Sequence, residues 1–161
     1  MKQKKPENGS VVDITPSLHL QKFGNTYYYF GTTFKGNYFQ ALQFCNLHGM
    51  SLLSVESEEE IGGTDRRFWT SGTIFPDDTH WVWLTTGKPI TYTNWLPKQP
   101  DNTGRNEKCL ELRYGSNLMW NDAPWNTANL VICEIDVTKE NSNILTGVTN
   151  CNLTVINIPS E

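Results

Sequence analysis

The sequence predicts an α+β domain in which one short helix is combined with scattered short strands. Three observations favour this class. A capped amphipathic pattern runs over residues 37–48, and apolar runs typical of buried strands lie on both sides of the middle of the chain. That middle region is rich in Trp, Gly, Pro, Asn and Thr, which is typical of irregular structure. With 161 residues, the chain has the size of one domain.

Composition along the chain predicts the domain boundaries. Residues 1–24 are polar and punctuated by Pro and Gly, so we interpret them as an arm or a short edge strand. They show no signal-peptide pattern, because Met1 leads directly into a polar, basic segment. The domain is predicted over residues 25–136, and residues 137–161 form a polar tail that Cys151 ties back. No apolar stretch approaches the roughly 18 residues that a membrane-spanning helix needs.

Local patterns predict the first elements of the domain. Tyr27–Phe30 is an aromatic strand signal. Asn37 with Gln40 three residues later has the form of a capping box. Apolar residues then recur at spacings of three and four as far as Gly49, which is a good helix stop, so a helix is predicted over 37–48. Leu52–Val55 is interpreted as a buried strand.

The later elements are shorter and more widely separated. Acidic residues at 57–60 favour the start of a second helix, which Gly62 and Gly63 cut short. Strands are predicted over His80–Thr86, Leu110–Tyr114 and Leu130–Ile135. A long polar stretch separates the first two of these strands. Because such a stretch in a compact domain is usually functional or disordered, and interleaved Trp residues argue against disorder, we expect a binding site there.

The charge and the motifs exclude several classes of function. The formal net charge is −4, and Lys2, Lys4 and Lys5 hold part of the positive charge at the very start, so the domain itself is more acidic. This argues against nucleic acid as a partner. The remaining candidate groups, His19, His48 and His80, have no metal-type spacing and no paired carboxylate, and no hydrolase or phosphate-loop motif occurs. The chain is therefore not predicted to be an enzyme.

The strongest group of polar residues lies between positions 99 and 122. It contains three carboxylates and two amides, with no His or Cys among them. These residues are Gln99, Asp101, Glu107, Asn121 and Asp122. Hard oxygen donors without a soft ligand are what Ca²⁺ prefers. From composition alone, solvated loop residues are the favoured alternative, because Asp, Asn and Gln are common in turns.

Four cysteines allow three disulfide pairings, and spacing alone does not choose between them. They are Cys45, Cys109, Cys133 and Cys151, and none of them forms a C-x-x-C pair. Two glycosylation-type tripeptides, which begin at Asn8 and Asn152, are weak indications of a secretory route.

Taken in order, these motifs resemble the C-type lectin domain family over roughly residues 27–135. The form of the motifs is most similar to the secreted single-domain lectins of arthropods, insects especially. The landmarks are Cys45 on a helix, Gly49-Met-Ser-Leu-Leu-Ser-Val, Phe68-Trp-Thr-Ser-Gly, Trp81-Val-Trp, Asn94-Trp95, Gln99-Pro100-Asp101, Asn106-Glu107-x-Cys109, Trp120-Asn121-Asp122 and Ile132-Cys133-Glu134.

The resemblance implies two helices, two small antiparallel sheets and a long loop region that binds Ca²⁺. It implies a Cys45–Cys133 disulfide and a cis Pro100. It also implies that the ion and the sugar share one set of ligands, namely Gln99, Asp101, Glu107, Asn121 and Asp122. The Gln-Pro-Asp order resembles the galactose-type pattern. A secreted, extracellular lectin is therefore expected, with glycans ending in galactose or a related sugar as partners, on microbial or host surfaces in innate immunity.

The sequence departs from the family pattern at several places. Residues 102–106 lack the aromatic that usually follows a galactose-type motif, and Trp95 and Trp125 are interpreted as core residues rather than replacements for it. Asp77 and Asp78 follow Pro76 and are interpreted as an exposed turn rather than an auxiliary cation site. These departures leave open an alternative function, a protein-interaction or assembly module of the same fold with little sugar binding.

Trp125 also stands where the family has its third cysteine. Cys109 is therefore predicted to pair with Cys151 in the tail, because an isolated thiol is a hazard in an oxidising compartment. The alternative is an intermolecular bridge through Cys151.

Overall fold

A computed structural model gives the architecture, and it describes residues 18–55, 66–113, 118–137 and 154–156. Within these ranges the chain forms one α-helix, ten β-strands and a short 3-10 turn at Thr103–Arg105. The elements are β1 His19–Phe23, β2 Thr26–Phe30, α1 Tyr38–Leu47, β3 Ser51–Leu52, β4 Arg67–Thr73, β5 Val82–Trp83, β6 Lys88–Pro89, β7 Glu107–Arg113, β8 Met119–Pro124, β9 Leu130–Asp136 and β10 Thr154–Ile156. The predicted α+β class is confirmed. The predicted second helix falls mainly on residues 56–65, outside the described residues.

The strands form two groups that meet along β9. In the first group β2 pairs antiparallel with β1 and β9, β3 pairs with β9, and β10 runs parallel to β1. In the second group β4 pairs antiparallel with β5 and β7, β7 pairs with β8, and β5 pairs with β6. A short parallel pairing of β4 with β9 joins them, with Phe68 opposite Leu130 and Trp69 opposite Val131. The second group carries the polar residues predicted to form a site.

Helix α1 has both of the ends that the sequence predicts. The Asn37 side chain accepts the Gln40 backbone N–H, and the Gln40 side chain accepts the Asn37 N–H, which completes a capping box. At the other end Gly49 has φ of 67°. The Met50 N–H donates to the Cys45 carbonyl, and the Gly49 N–H donates to the Asn46 carbonyl. This is a Schellman ending, which favours glycine because of the positive φ.

One face of α1 packs on the sheets and fixes how the two strand groups meet. Tyr38 is fully buried, and its hydroxyl donates to the Ser71 carbonyl at 2.9 Å. Cys45 forms the expected disulfide with Cys133 of β9, at a Cα–Cα distance of 5.4 Å. The Trp69 indole N–H donates to the Gly36 carbonyl at 3.0 Å, just before the helix. The helix is therefore attached covalently to one strand group and by hydrogen bonds to the other.

The structure differs from the predicted strands at several places. Strands β4, β6 and β8 were not predicted, and the predicted strand Leu52–Val55 is observed as Ser51–Leu52. The predicted strand over His80–Thr86 shrinks to Val82–Trp83. Strand β4 was missed because it is buried on both faces and so lacks the polar–apolar alternation that marks a half-buried strand.

The predicted arm and tail both contribute strands. Strand β1 lies inside residues 1–24, the segment interpreted as an arm or edge strand, and its Leu20 is buried in the core. In the tail, β10 runs parallel to β1. Helices in the described ranges are too short and too polar to cross a membrane.

Cys109, on β7, is a free thiol with no exposed surface. Burial raises the pKa of this thiol well above its ordinary value, which disfavours the reactive thiolate. The sequence predicts a bridge from Cys109 to Cys151. Cys151 lies outside the described residues, so that pairing stays a prediction.

Candidate functional site

The long loop before β7 is held against strand β8 by backbone and aromatic contacts. The Trp120 N–H donates to the Asn94 carbonyl at 2.7 Å, and the Leu96 N–H donates to the Trp120 carbonyl at 2.9 Å. The Trp95 and Trp120 rings meet edge to face, with centroids 5.5 Å apart. These contacts place the residues that follow Leu96 beside Asn121 and Asp122, the next residues of β8.

Three of the five predicted ligands come together at this place. Asp101, Glu107 and Asp122 each have a carboxylate oxygen within 4.8 Å of the others. Asp101 is exposed, Glu107 is partly buried and Asp122 is buried, so the cluster opens to solvent on one side. The sequence analysis placed all five residues on loops, and this is wrong for Glu107, Asn121 and Asp122. They lie in the paired strands β7 and β8, whose ladder fixes their positions.

The Asp122 carboxylate accepts backbone N–H groups of the loop at Asp101 and Asn102. Its Oδ1 accepts the Asp101 backbone N–H at 3.3 Å, and its Oδ2 accepts the Asn102 backbone N–H at 2.8 Å. The Asn102 side-chain oxygen in turn accepts the Glu107 backbone N–H at 3.1 Å. Asn102 has φ of 45°, a left-handed conformation that Asn tolerates better than most residues. The loop is therefore shaped around the buried carboxylate.

Thr103 links two of the carboxylates. Its backbone N–H lies 3.0 Å from Asp101 Oδ1 and 2.9 Å from Glu107 Oε2, and its hydroxyl donates to Asp101 Oδ1 at 2.7 Å. Hydrogen bonds to the charged form favour that form. The Thr103 hydroxyl accordingly holds the pKa of the Asp101 carboxyl below its ordinary value.

Glu107 has the opposite shift. Partial burial raises the pKa of Glu107, and the nearby negative charges of Asp122 and Asp101 add to that effect. Ionising all three carboxylates without a counter-charge is therefore unfavourable. A divalent cation placed among them would remove the repulsion.

Gln99 and Asp101 flank Pro100, and the Gln99–Pro100 peptide bond is cis, as the resemblance implied. The Gln99 side-chain oxygen accepts the Asp101 backbone N–H at 3.0 Å. The Gln99 amide nitrogen donates to Asp101 Oδ2 at 3.2 Å. The Gln99 and Asp101 side chains thus face each other. Gln99 carries an acceptor oxygen and a donor NH₂ group, and Asp101 carries two carboxylate oxygens that accept.

Asn121 is buried and faces a different neighbour. Its amide nitrogen donates to Glu111 Oε1 at 3.1 Å and also to the backbone carbonyl of Asp122. Glu111 lies directly opposite Asn121 in the β7–β8 ladder. Asn121 is therefore next to the carboxylate cluster in sequence and tied to a buried acid by its amide.

The residues present fit Ca²⁺ better than a softer metal. The cluster offers three carboxylates, and the neighbouring side-chain oxygens come from Gln99 and Asn121, with no His or Cys. Ca²⁺ takes six to eight oxygen ligands in flexible geometry and suits a cluster that opens to solvent on one side. Gln99, Asp101, Glu107, Asn121 and Asp122 are the residues that would hold it.

The turn at Asp77 and Asp78 is occupied by other contacts. Asp77 Oδ1 accepts the backbone N–H groups of Thr79 and His80, and its Oδ2 contacts the His80 ring nitrogen at 2.6 Å. These bonds hold the pKa of Asp77 far below its ordinary value. Asp78 pairs with Lys108 at 2.6 Å. The geometry is that of an exposed turn, and the expectation that His80 has no paired carboxylate is wrong.

The two tryptophans considered as sugar-stacking groups occupy different surroundings. Trp95 packs between Trp81 and Trp120, as expected for a core residue. Trp125 is 44% exposed, so its interpretation as a core residue is wrong. It lies beside Phe39, which is 49% exposed, with ring centroids 5.8 Å apart.

The sequence analysis missed Thr103 and Glu111. Thr103 follows Asp101 by two residues, the spacing at which Asp and Thr bond to nearby backbone in turns, and this signal was available. Glu111 lies between Leu110 and Leu112 in an apolar strand, where a buried acid needs partners. Its partner Asn121 comes from another strand, so the sequence does not identify it.

Comparison with known proteins identifies the family. The profile described as "Lectin C-type domain" matches residues 34–135. The Drosophila melanogaster protein "C-type lectin 37Da" is 33% identical over 128 residues, covering 71% of this chain and 66% of that protein. The Aedes albopictus protein "Salivary C-type lectin 2" is 31% identical over 111 residues, covering 58% of this chain and 74% of that protein. This chain thus spans slightly less than two thirds of the Drosophila protein.

Solved structures of similar fold support the same family assignment. The carbohydrate-recognition domain of the mouse scavenger receptor C-type lectin has a TM-score of 0.66 at 29% identity, covering 73% of this chain and 95% of that one. A calcium-independent type II antifreeze protein has a TM-score of 0.65 at 23% identity, covering 76% and 95%, and shows the fold alone. C-type lectin domains are not enzymes, as the sequence analysis expected for this chain. The "Lectin C-type domain" profile matches more than half of the residues of this chain, so the chain belongs to the C-type lectin domain family.

Proposed function

We propose that this protein is a secreted, Ca²⁺-dependent lectin that binds glycans ending in galactose or N-acetylgalactosamine. The observation that carries the proposal is the meeting of Asp101, Glu107 and Asp122 within 4.8 Å on the surface beside the Gln99-Pro100-Asp101 turn. These residues would hold Ca²⁺, which would supply coordination positions for two neighbouring sugar hydroxyls. Each hydroxyl would also donate to a carboxylate, and the Gln99 amide N–H would donate to one of the hydroxyls.

The order of the groups around Pro100 supports the galactose type. Gln99 supplies an amide and Asp101 a carboxylate, so donor and acceptor have a fixed order along the site. This order resembles the galactose-type pattern of the family, so it favours galactose over mannose. Residues 102–106 contain no aromatic to stack on the sugar, so the preference is modest. Binding of a single sugar is weak, because a shallow site contacts few atoms, and clustering of sites supplies avidity.

The setting proposed is recognition of microbial or host surface glycans in innate immunity. The mosquito relative is named as a salivary protein, which supports secretion. The Cys45–Cys133 disulfide supports an oxidising compartment, since such bridges persist there.

The direct test is retention on galactose and mannose resins. The protein should be retained on galactose resin in Ca²⁺ and released by a chelator, with less retention on mannose resin. Glu107→Gln is the site variant and should pass through both resins. Asp78→Asn, at an exposed acid outside the site, is the matched control and should behave as the wild type. Retention that persists in the chelator contradicts the proposal, and a glycan array then identifies the ligand.

A second candidate function is an assembly module of the same fold. Two exposed aromatics, Phe39 and Trp125, lie side by side, and exposed apolar patches are typical of contact surfaces. This candidate predicts self-association that is independent of Ca²⁺. Sedimentation of the wild type and of a Phe39→Ser/Trp125→Ser variant in a chelator tests it, and a wild type that stays monomeric contradicts it.

A further inference from the structure

Glu111 is a fully buried carboxylate with several donors around it. It is 0% exposed and lies opposite Asn121 in the β7–β8 ladder. Its Oε1 accepts from the Asn121 amide nitrogen at 3.1 Å and from Arg113 Nε at 3.1 Å. Its Oε2 accepts from the Asn129 amide nitrogen at 2.7 Å. A buried charge is tolerated only when it is bonded in this way.

These contacts fix which end of the Asn121 amide faces inward. Arg113 and Asn129 also donate to the Glu111 oxygens, which act as acceptors in every contact, so Asn121 presents its NH₂ group to Glu111 and not its oxygen. The same nitrogen also donates to the Asp122 backbone carbonyl. Two acceptors use the two N–H donors of the amide, and Oδ1 is left as the group free to bind a ligand.

We propose that Glu111 is a positioning residue for the cation site, acting by holding the Asn121 amide with Oδ1 available to the ion. The inference rests on the proposed function, because it concerns the ion at that site. Without Glu111, only the Asp122 carbonyl holds the NH₂ group, so the amide can turn over and present that group to the cation, which repels it. Partners of metal ligands that fix orientation in this way typically change metal affinity by about 10–100-fold when they are removed.

Glu111 is not itself a ligand of the ion in this proposal. It lies outside the group formed by Asp101, Glu107 and Asp122. Its charge is balanced by Arg113 and by Arg67, whose Nη1 lies 3.9 Å from Oε1. Substituting Glu111 therefore removes an orienting contact and leaves the three carboxylates of the site unchanged.

The test is a cycle of four proteins: wild type, Glu111→Ala, Asn121→Ala and the double variant. The probe is terbium(III), which takes the oxygen ligands of Ca²⁺, binds more tightly because of its higher charge, and is sensitised by nearby tryptophan. Glu111→Ala should raise the Kd for terbium about 10–100-fold. In the Asn121→Ala background the same substitution should have no further effect, because the group through which it acts is gone.

A purely structural role for Glu111 gives a different result. It would raise the Kd equally in both backgrounds, and this outcome overturns the proposal. Asn129→Ala is the matched control, because it removes another buried partner of Glu111 and leaves the Asn121 contact in place. It should leave the Kd within about threefold of the wild type, which is under 1 kcal/mol. A loss as large as that of Glu111→Ala overturns the proposal too.

A measurement without any metal separates this inference from the proposed function. In chelator, the Asn121 side-chain NH₂ signals of the wild type, identified by their absence in Asn121→Ala, should exchange with solvent at least about tenfold more slowly than those of exposed Asn46. Equal exchange rates overturn the inference, and this arm decides it where Glu111→Ala does not fold. A wild type that shows slow exchange but binds neither Ca²⁺ nor terbium overturns the proposed function, and the positioning role with it.

Discussion

The backbone N–H of Asn102 donates to the Asp122 carboxylate at 2.8 Å, so a buried acid of β8 shapes the exposed loop above it. The other oxygen of Asp122 accepts the Asp101 backbone N–H. Asp122→Asn should therefore destabilise the protein even in a chelator, because an amide has one acceptor where the carboxylate has two. We expect a loss of about 1–3 kcal/mol in the free energy of unfolding, measured by denaturant titration.

The matched control for that prediction is Asp78→Asn. It removes an exposed carboxylate that pairs with Lys108 on the surface. Such pairs contribute little, so the free energy of unfolding should change by less than about 0.5 kcal/mol. Equal losses in the two variants would show that the loop does not depend on Asp122.

Thr103→Val should raise the pKa of Asp101. The substitution removes the hydroxyl that donates to Asp101 Oδ1 at 2.7 Å and keeps both the shape of the side chain and the Thr103 backbone N–H. Because that hydroxyl is the main cause of the lowered pKa, its loss should move the Asp101 titration toward the ordinary range. An NMR titration of the carboxyl carbon in a chelator measures this. Thr103→Ser keeps the hydroxyl and should titrate as the wild type does.

Acid should weaken Ca²⁺ binding, starting with Glu107. In the cation-free protein the pKa of Glu107 is raised and that of Asp101 is lowered, so Glu107 takes up its proton first as the pH falls. A proton and the cation compete for this carboxylate, so affinity should fall as the pH drops through the raised pKa of Glu107. Calorimetric Ca²⁺ titrations over a pH series measure the onset.

The Glu107→Gln variant is the control for the pH dependence. It should bind Ca²⁺ more weakly, and its decline should start at lower pH, where Asp101 protonates. In a chelator, the contribution of Glu107 to folding stability changes with pH in the opposite direction to Ca²⁺ binding. A raised folded-state pKa means that Glu107 favours folding below its unfolded pKa and that this contribution is lost as the pH rises. An onset that is the same in Glu107→Gln and wild type would assign the titration to another group.

The elements that the sequence predicts well are those with local causes. Helix α1 follows from its capping box, its apolar spacing and Gly49, all within one short segment. Strand β4 has no such local cause, because it is buried on both faces and its polar side chains bond to another strand. In the structure the Thr70 hydroxyl donates to the Leu110 carbonyl, and the Thr73 hydroxyl donates to the Lys108 carbonyl. These partners lie far away in sequence, so no local pattern indicates them.

The candidate site likewise has one part that the sequence predicts and one part that it does not. Its five candidate ligands were identified by resemblance, and the structure brings Asp101, Glu107 and Asp122 together. The supporting contacts were not predictable. Glu111 meets Asn121 because β7 pairs with β8, and it meets Asn129, the residue before β9, because β4 pairs with both β7 and β9. Such contacts depend on strand register, which the amino-acid sequence alone does not give.

The Cys45–Cys133 disulfide should contribute strongly to stability. The bridge closes a loop with a sequence separation of 88, so the chain-entropy estimate is about 4.6 kcal/mol. The Cys45→Ala/Cys133→Ala variant should lose at least that amount in the free energy of unfolding, measured by denaturant titration. Cys109→Ala is the matched control, because it removes a buried sulfur that lies outside the Cys45–Cys133 bridge. Similar losses in the two variants would contradict the estimate.

Exchanging the groups around Pro100 should change the sugar that is preferred. Gln99→Glu with Asp101→Asn keeps the formal charge of the site and reverses the order of amide and carboxylate. The Gln99 and Asp101 side chains already bond to each other, so the reversed pair can form the same contact with donor and acceptor exchanged. Galactose competition should weaken and mannose competition should strengthen, each by several-fold, while the Kd for Ca²⁺ stays within about threefold. Asp78→Asn, outside the site, should leave both sugars unaffected. An unchanged sugar profile with Ca²⁺ still bound would place specificity elsewhere, and Arg105 on the same loop is the next residue to substitute.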